Sequence, residues 1–204
     1  MTATPAGGVG ARPEPPHVLF ERPLPRAAYA RPADHVARAL LGAFVTVRDG
    51  AGVVRAARIV ETEAYLGEED AACHAHRGRT RRTETMYGPP GTAYAYLIYG
   101  LHTMLNVVTA EAGEPHAVLI RAVEPLGFEA RTHGPGLTAR ALGVERTDDG
   151  ADLTTGRVRI AAGPRPARIV RGPRIGVDYA GSWAEAPLRF GVAGSERLSR
   201  RFPT

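Results

Sequence analysis

Apolar residues recur with two periods along the chain, and the period separates helices from strands. Val36, Ala37, Leu40 and Leu41 fall at helical spacing, and Gly42 supplies a stop. An apolar run at 43–47 leads into Arg48-Asp49-Gly50-Ala51-Gly52, which is turn chemistry, and a return strand runs from 53 to 66. Glu68, Glu69 and Asp70 open a short helical turn reaching His74, their charge suited to a helix N-terminal end. Residues 76–88 are basic and loop-like and end at Pro89-Pro90-Gly91. A second hairpin pairs 93–98 with 104–109 around Tyr99-Gly100-Leu101-His102-Thr103. A strand at 117–123, a short helix at 137–142 and late strands at 157–161, 174–177 and 188–192 complete the pattern. Antiparallel strands with few helices predict an α+β or mainly β domain.

Residues 1–21 break this patterning. Pro5, Pro13, Pro15 and Pro16 stand beside Gly7, Gly8 and Gly10, so the segment is expected to bury little and to act as a flexible leader. Residues 22–204 then form one domain, which suits a chain of 204 residues. With 44% hydrophobic and 23% charged residues, wholesale disorder and fibrous repeats are excluded. No apolar run approaches the length of a membrane span or a signal peptide, so a cytoplasmic protein with no membrane partner is expected. The single cysteine, Cys73, cannot form an intramolecular disulfide.

Charge narrows the chemistry. The 26 basic and 21 acidic residues leave a net +5, which favours an anionic partner only modestly. Every one of those basic residues is Arg. Without Lys no Lys Schiff base can form and no phosphate loop is possible. The only serines are Ser182, Ser195 and Ser199, and no Gly-x-Ser-x-Gly motif is present.

Three local patterns remain as candidates. On the strand through 59–66, Glu61, Glu63 and Tyr65 share one face. Carboxylates there are either solvated and paired with Arg, or held for chemistry at a free-energy cost. Five of the seven tyrosines, Tyr65, Tyr87, Tyr94, Tyr96 and Tyr99, fall between residues 65 and 99. Cross-strand packing accounts for Tyr94 and Tyr96 but not for a Tyr at a hairpin tip. Arg77, Arg79, Arg81 and Arg82 stand nearby, and aromatics interleaved with Arg suit stacking on bases and pairing with phosphates. Cys73-His74-Ala75-His76 invites a metal, but no partner pair exists at finger-like spacing, so no metal is expected and His74 is read as a hydrogen-bonding or stacking residue.

Several blocks taken in order are more specific than any of these. Arg58-Ile59-Val60-Glu61-Thr62-Glu63-Ala64-Tyr65-Leu66-Gly67, then Asp70 and Ala72 to His74, resembles the signature of the alkyladenine (3-methyladenine) DNA glycosylase family. Pro90-Gly91-Thr92-Ala93-Tyr94-Ala95-Tyr96-Leu97-Ile98-Tyr99-Gly100 with Met104 to Val108 resembles that family's DNA-inserting hairpin. Leu119 to Leu126, Arg174-Ile175-Gly176-Val177, and Trp183 with 187–190 extend the resemblance over roughly residues 23–195.

The resemblance implies a single α+β domain: a curved antiparallel sheet, short surrounding helices and a protruding hairpin. It implies a monomeric, monofunctional glycosylase of base excision repair, working at the nucleoid without a cofactor. Its partner would be double-stranded DNA containing damaged purines, alkylated or deaminated, which it flips out and releases to leave an abasic site. Glu63 matches the carboxylate that activates water, and Arg121 the residue that helps position both. Tyr65, His74 and Tyr96 match the walls of the base pocket. Asn106 matches its floor. Tyr99 matches the side chain that fills the vacated stack, with Leu101 wedging beside it. Arg77, Arg79, Arg81 and Arg82 are expected on the DNA backbone. The missing Lys fits direct hydrolysis, since a Lys-imine lyase step is closed. Departures are the short segment 127–133, the run Thr80-Arg81-Arg82-Thr83, and Leu137 where a Lys is usual. A catalytically silent nucleic-acid-binding module and a nucleoside hydrolase are the alternatives. The first does not require both Glu63 and Arg121, and the second has no use for a stack-filling hairpin.

Overall fold

The return strand at 53–66 becomes the axis of the molecule. A computed structural model describes residues 14–203. Among them, eight strands form one antiparallel sheet: β1 Phe44–Arg48, β2 Val54–Leu66, β3 Ala93–Ile98, β4 His102–Thr109, β5 His116–Leu126, β6 Val158–Ala161, β7 Ile169–Gly172 and β8 Arg189–Val192. The main order is β3-β4-β5-β2-β1-β6, and β8 joins β2 with β7 outside it. Helices α1 Pro16–Phe20, α2 Ala33–Ala39 and α3 Pro135–Leu142 pack against this sheet. The expected α+β class is the one found. No helix among the described residues is long and apolar enough to cross a membrane.

β2 pairs with β5 along most of its length. Its other edge is shared: β1 covers Val54 to Arg58, and β8 covers Glu61 to Glu63. The changeover falls at a register shift between Ile59 and Thr62. A bulge there bends the strand and raises its twist, so one edge can serve two neighbours. This is where both candidate carboxylates sit.

Local chemistry explains the helices. Pro135 stands at the start of α3 and Gly143 ends it in the left-handed region. In α2, Asp34 in the first turn meets Arg38 in the last at 3.2 Å. Val36, Leu40 and Leu41 enter one core cluster with Ile59, Ile120, Val123 and Leu142.

Two expectations are corrected. The first 13 residues of the expected leader lie outside the described residues. Its end is structured: residues 16–20 form α1, with Leu19 and Phe20 buried. Phe20 is sandwiched by the guanidinium groups of Arg48 and Arg159, which lie 3.9 and 4.1 Å from its ring centroid. The late strand expected at 174–177 is instead irregular, and the strand lies before it at Ile169–Gly172. Pro173 has no N–H to continue a ladder. The Ile175 N–H is used by Glu63 rather than by a strand.

Candidate active site

Burial decides what the two carboxylates on β2 are. Both Glu61 and Glu63 are 0% exposed, so the solvated-face alternative is overturned, although the expected Arg partners are present. Glu63 Oε2 accepts from the Tyr65 hydroxyl at 2.9 Å and from Arg121 Nη1 at 3.1 Å. Its Oε1 accepts from the Ile175 backbone N–H at 2.8 Å. A carboxylate offers about four acceptor positions. One on Oε1 is therefore still open to a further donor.

Glu61 also accepts three hydrogen bonds, but from different partners. Its Oε1 accepts from Arg189 Nη1 at 3.0 Å and from the Ser199 hydroxyl at 2.7 Å, and its Oε2 from the Ser199 N–H at 2.5 Å. Arg121 Nε lies 3.4 Å from Glu61 Oε1. Two acids and two arginines thus balance inside the fold. A buried set of this kind is tolerable only when paired and hydrogen-bonded throughout. Burial opposes the Arg121 charge, but Glu63 and Glu61 outweigh it and hold its pKa above the ordinary value.

The three residues that hold Glu63, namely Tyr65, Arg121 and Ile175, line a pocket of about 150 Å³, while Glu63 itself lies behind them and is not among its lining residues. Tyr65, His74, Tyr96, Asn106 and Arg121 all line it, so the structure brings together five residues that lie far apart in sequence. Tyr96 and His74 meet edge to face at 4.6 Å between centroids, and Tyr94 lies 5.2 Å from Tyr96. The alternation of β3 turns Tyr94 and Tyr96 to one side. His74 Nδ1 bonds the Tyr94 hydroxyl at 3.0 Å. Burial, and then Arg82, push His74 down to about 4, so its ring is neutral near pH 7. Burial, then Glu63, raise Tyr65 well above the usual phenol range and Tyr96 up to about 12. Both remain hydroxyl donors. Asn106 on β4 donates to the Tyr94 carbonyl at 3.2 Å, which fixes its amide beside the pocket.

The hairpin tip is exposed and strained. Tyr99 is 88% and Leu101 79% exposed. Tyr99 and Gly100 have φ of 52° and 68°, and the Leu101 N–H closes the turn on the Ile98 carbonyl at 3.1 Å. Glycine takes that conformation freely, whereas a bulky residue there costs roughly 1–3 kcal/mol.

The four arginines differ from one another. Arg77 and Arg81 are exposed and have no acid partner among the described residues. Arg79 is already clasped by Glu84, at 2.8 Å through Nε and 2.5 Å through Nη2. Arg82 stands over the Tyr96 ring at 5.8 Å, near the pocket rather than away from it.

Other participants had no role assigned to them by the sequence. Arg174 is buried and paired through both Nη atoms with Asp70, one bond measuring 2.8 Å. Its guanidinium lies 4.8 Å from the centroid of Tyr65. Ile175 acts through its backbone, which no side-chain pattern marks. Tyr179 lines the pocket while 72% exposed. Among the described residues, no group of three or more His, Cys, Asp or Glu side chains is placed to share a metal ion.

Comparison with known proteins gives the same direction. The family profile described as Methylpurine-DNA glycosylase (MPG) matches residues 27–196. A protein of Myxococcus xanthus (strain DK1622) is 53% identical over 185 residues, covering 88% of this chain and 95% of the relative. One from Methanocella arvoryzae (strain DSM 22066 / NBRC 105507 / MRE50) is 48% identical over 195 residues, with 88% and 97% covered. One from Legionella pneumophila (strain Lens) is 45% identical over 182 residues, with 88% and 99% covered. Each carries the name "Putative 3-methyladenine DNA glycosylase".

Proposed function

The chain belongs to the methylpurine-DNA glycosylase family, and from that premise we propose that it draws an alkylated or deaminated purine out of duplex DNA and releases it by water attack. Membership makes it a DNA repair glycosylase, a hydrolase of N-glycosidic bonds. The base, the route and the residues are our reading.

Glu63 is the general base. A water donating to the open position on Glu63 Oε1 would be activated beside the pocket, with Arg121 holding the carboxylate in place. The same negative charge stabilises the oxocarbenium character that develops on the sugar. A base buried in a duplex is out of reach, so the nucleotide must be extruded into the space between Tyr65, His74 and Tyr96. An alkylated purine carries positive charge, and tyrosine faces attract it by about 0.5–2 kcal/mol. Neutral His74 adds no repulsion. Asn106 reads the base edge at the floor and disfavours normal guanine. Tyr99, with Leu101 beside it, enters the minor groove and fills the gap in the stack. Arg77, Arg81 and Arg82 meet phosphates, and Arg79 does so by exchanging Glu84 for one. With no Lys in the chain, the reaction stops at the abasic site. We take the protein as a monomer acting on cytoplasmic DNA without a cofactor.

The observation that carries this reading is the buried Glu63, held by three donors from Tyr65, Arg121 and Ile175, all of which line the aromatic pocket. A silent binding module gains nothing from a buried carboxylate pair whose desolvation is costly. The test is base release from duplexes that each hold one of 3-methyladenine, 7-methylguanine, hypoxanthine or ethenoadenine, scored by alkaline cleavage. Release of at least one, abolished by Glu63→Gln, is expected. No release from any of the four would overturn the reading.

A further inference from the structure

Arg121 lines the pocket and lies between two buried carboxylates, Glu63 and Glu61. Its Nη1 reaches Glu63 at 3.1 Å, while its Nε stands 3.4 Å from Glu61. A guanidinium in that position can be captured by either acid. The C-terminal segment occupies the contested side. Ser199 Oγ accepts from Arg121 Nε at 3.4 Å and Nη2 at 3.3 Å, and donates to Glu61 at 2.7 Å. The Ser199 N–H takes the other oxygen of Glu61 at 2.5 Å. Glu61 is thereby satisfied without drawing Arg121 fully onto itself.

The segment is built to stay there. A Cβ on Gly191 of β8 would come within 2.6 Å of the Phe202 ring and 3.0 Å of the Leu198 side chain, so glycine there lets these two side chains pack directly on the strand. Arg189 holds it from the other side, donating to the carbonyls of Arg200 and Arg201 at 3.1 and 3.3 Å. Its guanidinium lies 3.8 Å from the Phe202 centroid.

We propose that Ser199 is a positioning residue: its hydroxyl neutralises the competition of Glu61 and keeps Arg121 Nη1 on Glu63. The inference rests on the catalytic reading of Glu63 and Arg121 given above. The hydroxyl does not touch the pocket, so it should govern the rate of the chemical step and leave DNA binding alone. Misplacing a catalytic group by about 1 Å can cost about a hundredfold in rate, and a smaller displacement costs less.

The experiment compares the parent with Ser199→Ala, Ser199→Thr and Glu63→Gln. Single-turnover release of methylated purines is followed on dimethyl-sulfate-treated duplex. Affinity is measured on an uncleavable duplex holding a reduced abasic site, which mimics the product. Expected are a loss of about ten- to a hundredfold in rate for Ser199→Ala with unchanged affinity, and a rate near the parent for Ser199→Thr, which keeps the hydroxyl. Three outcomes overturn the proposal: Ser199→Ala at the parent rate, a loss of affinity matching its loss of rate, or an equal deficit in Ser199→Thr. The Glu63→Gln arm separates the two readings. If that variant is inactive while Ser199→Ala is unimpaired, only the positioning role fails. If Glu63→Gln itself retains the parent rate, the catalytic reading fails with it.

Discussion

Replacing Glu63 by Gln changes one oxygen to an NH2 group and removes one charge, and its consequences can be worked through bond by bond. The Gln carbonyl oxygen can still accept from the Ile175 N–H, now at 2.8 Å. The amide nitrogen would face Arg121 Nη1 at 3.1 Å, where donor would meet donor, and the Tyr65 hydroxyl at 2.9 Å, which can turn to accept from it. Arg121 is not orphaned, because Glu61 lies 3.4 Å away. The stability cost is therefore that of one charge-assisted bond, about 1.5–3 kcal/mol. At about 2–4 °C per kcal/mol for a domain of this size, Tm should fall by about 3–12 °C. The effect on rate is larger. An amide cannot take a proton from water, and loss of a general base costs about 10²–10⁴-fold. That corresponds to about 3–5 kcal/mol of barrier. Single-turnover base release at 25 °C, where the variant is still folded by circular dichroism, reads the rate. Fluorescence anisotropy on an abasic-analogue duplex reads binding, which should be unchanged. Base release within a few-fold of the parent would refute the assignment of Glu63, however stable the variant proved.

Tyr99→Gly should uncouple stability from function: it relieves the positive φ of 52°, so Tm should hold or rise, while affinity for lesion-bearing duplex should fall. A fall in both would argue against strain at the tip. His74 is depressed to about 4 in the folded protein, against an ordinary 6.5, so between those values the unfolded chain binds the extra proton. Its contribution is fully present above about pH 6.5 and is lost as pH falls toward 4, by of order 2–3 kcal/mol. Urea denaturation at pH 6.5 and pH 4 should show a smaller loss of stability in His74→Phe than in the parent, the remainder coming from carboxylates such as Asp152 that also titrate in this range. Asp70→Asn leaves Arg174 buried without its charge partner and should cost about 3–5 kcal/mol, visible as a large fall in Tm; a shift of only a degree or two would mean the pair is dispensable. In a titration of affinity against NaCl, Arg81→Ala should reduce the log–log slope by about 1, and Arg79→Ala by less, because Glu84 already occupies Arg79. Equal slopes would remove the distinction.

Much of the framework is legible in the chain alone, because it depends on neighbours. The two-residue period of 93–98 and 104–109 and the glycine between them specify the hairpin, and β3 and β4 follow. The helical spacing at 36–41 lies on α2 and its exit, although the helix starts at Ala33 and gives way at Leu40. Glu61, Glu63 and Tyr65 are on one strand in both readings, and the family blocks name the pocket residues that the fold then gathers. Boundaries were less legible where distant partners compete with local preference. Residues 174–177 are apolar enough for a strand, yet Arg174 is drawn to Asp70 and the Ile175 N–H to Glu63. Residues 16–20 read as part of a Pro-rich leader, yet they form α1, with Phe20 packed against Arg48 and Arg159.

The sequence by itself determined the secondary-structure periods, the absence of Lys chemistry and the identity of the residues available for catalysis. Only the tertiary structure decided that Glu61 and Glu63 are both buried and that they have different partners. Glu61 is neutralised by Arg189 and Ser199, which lie 128 and 138 residues further along the chain. Glu63 is aimed by Tyr65, Arg121 and Ile175. Two like residues two positions apart share one local pattern. What separates a held structural charge from an aimed one is the set of donors each meets after folding, and those donors come from parts of the chain that no local period connects.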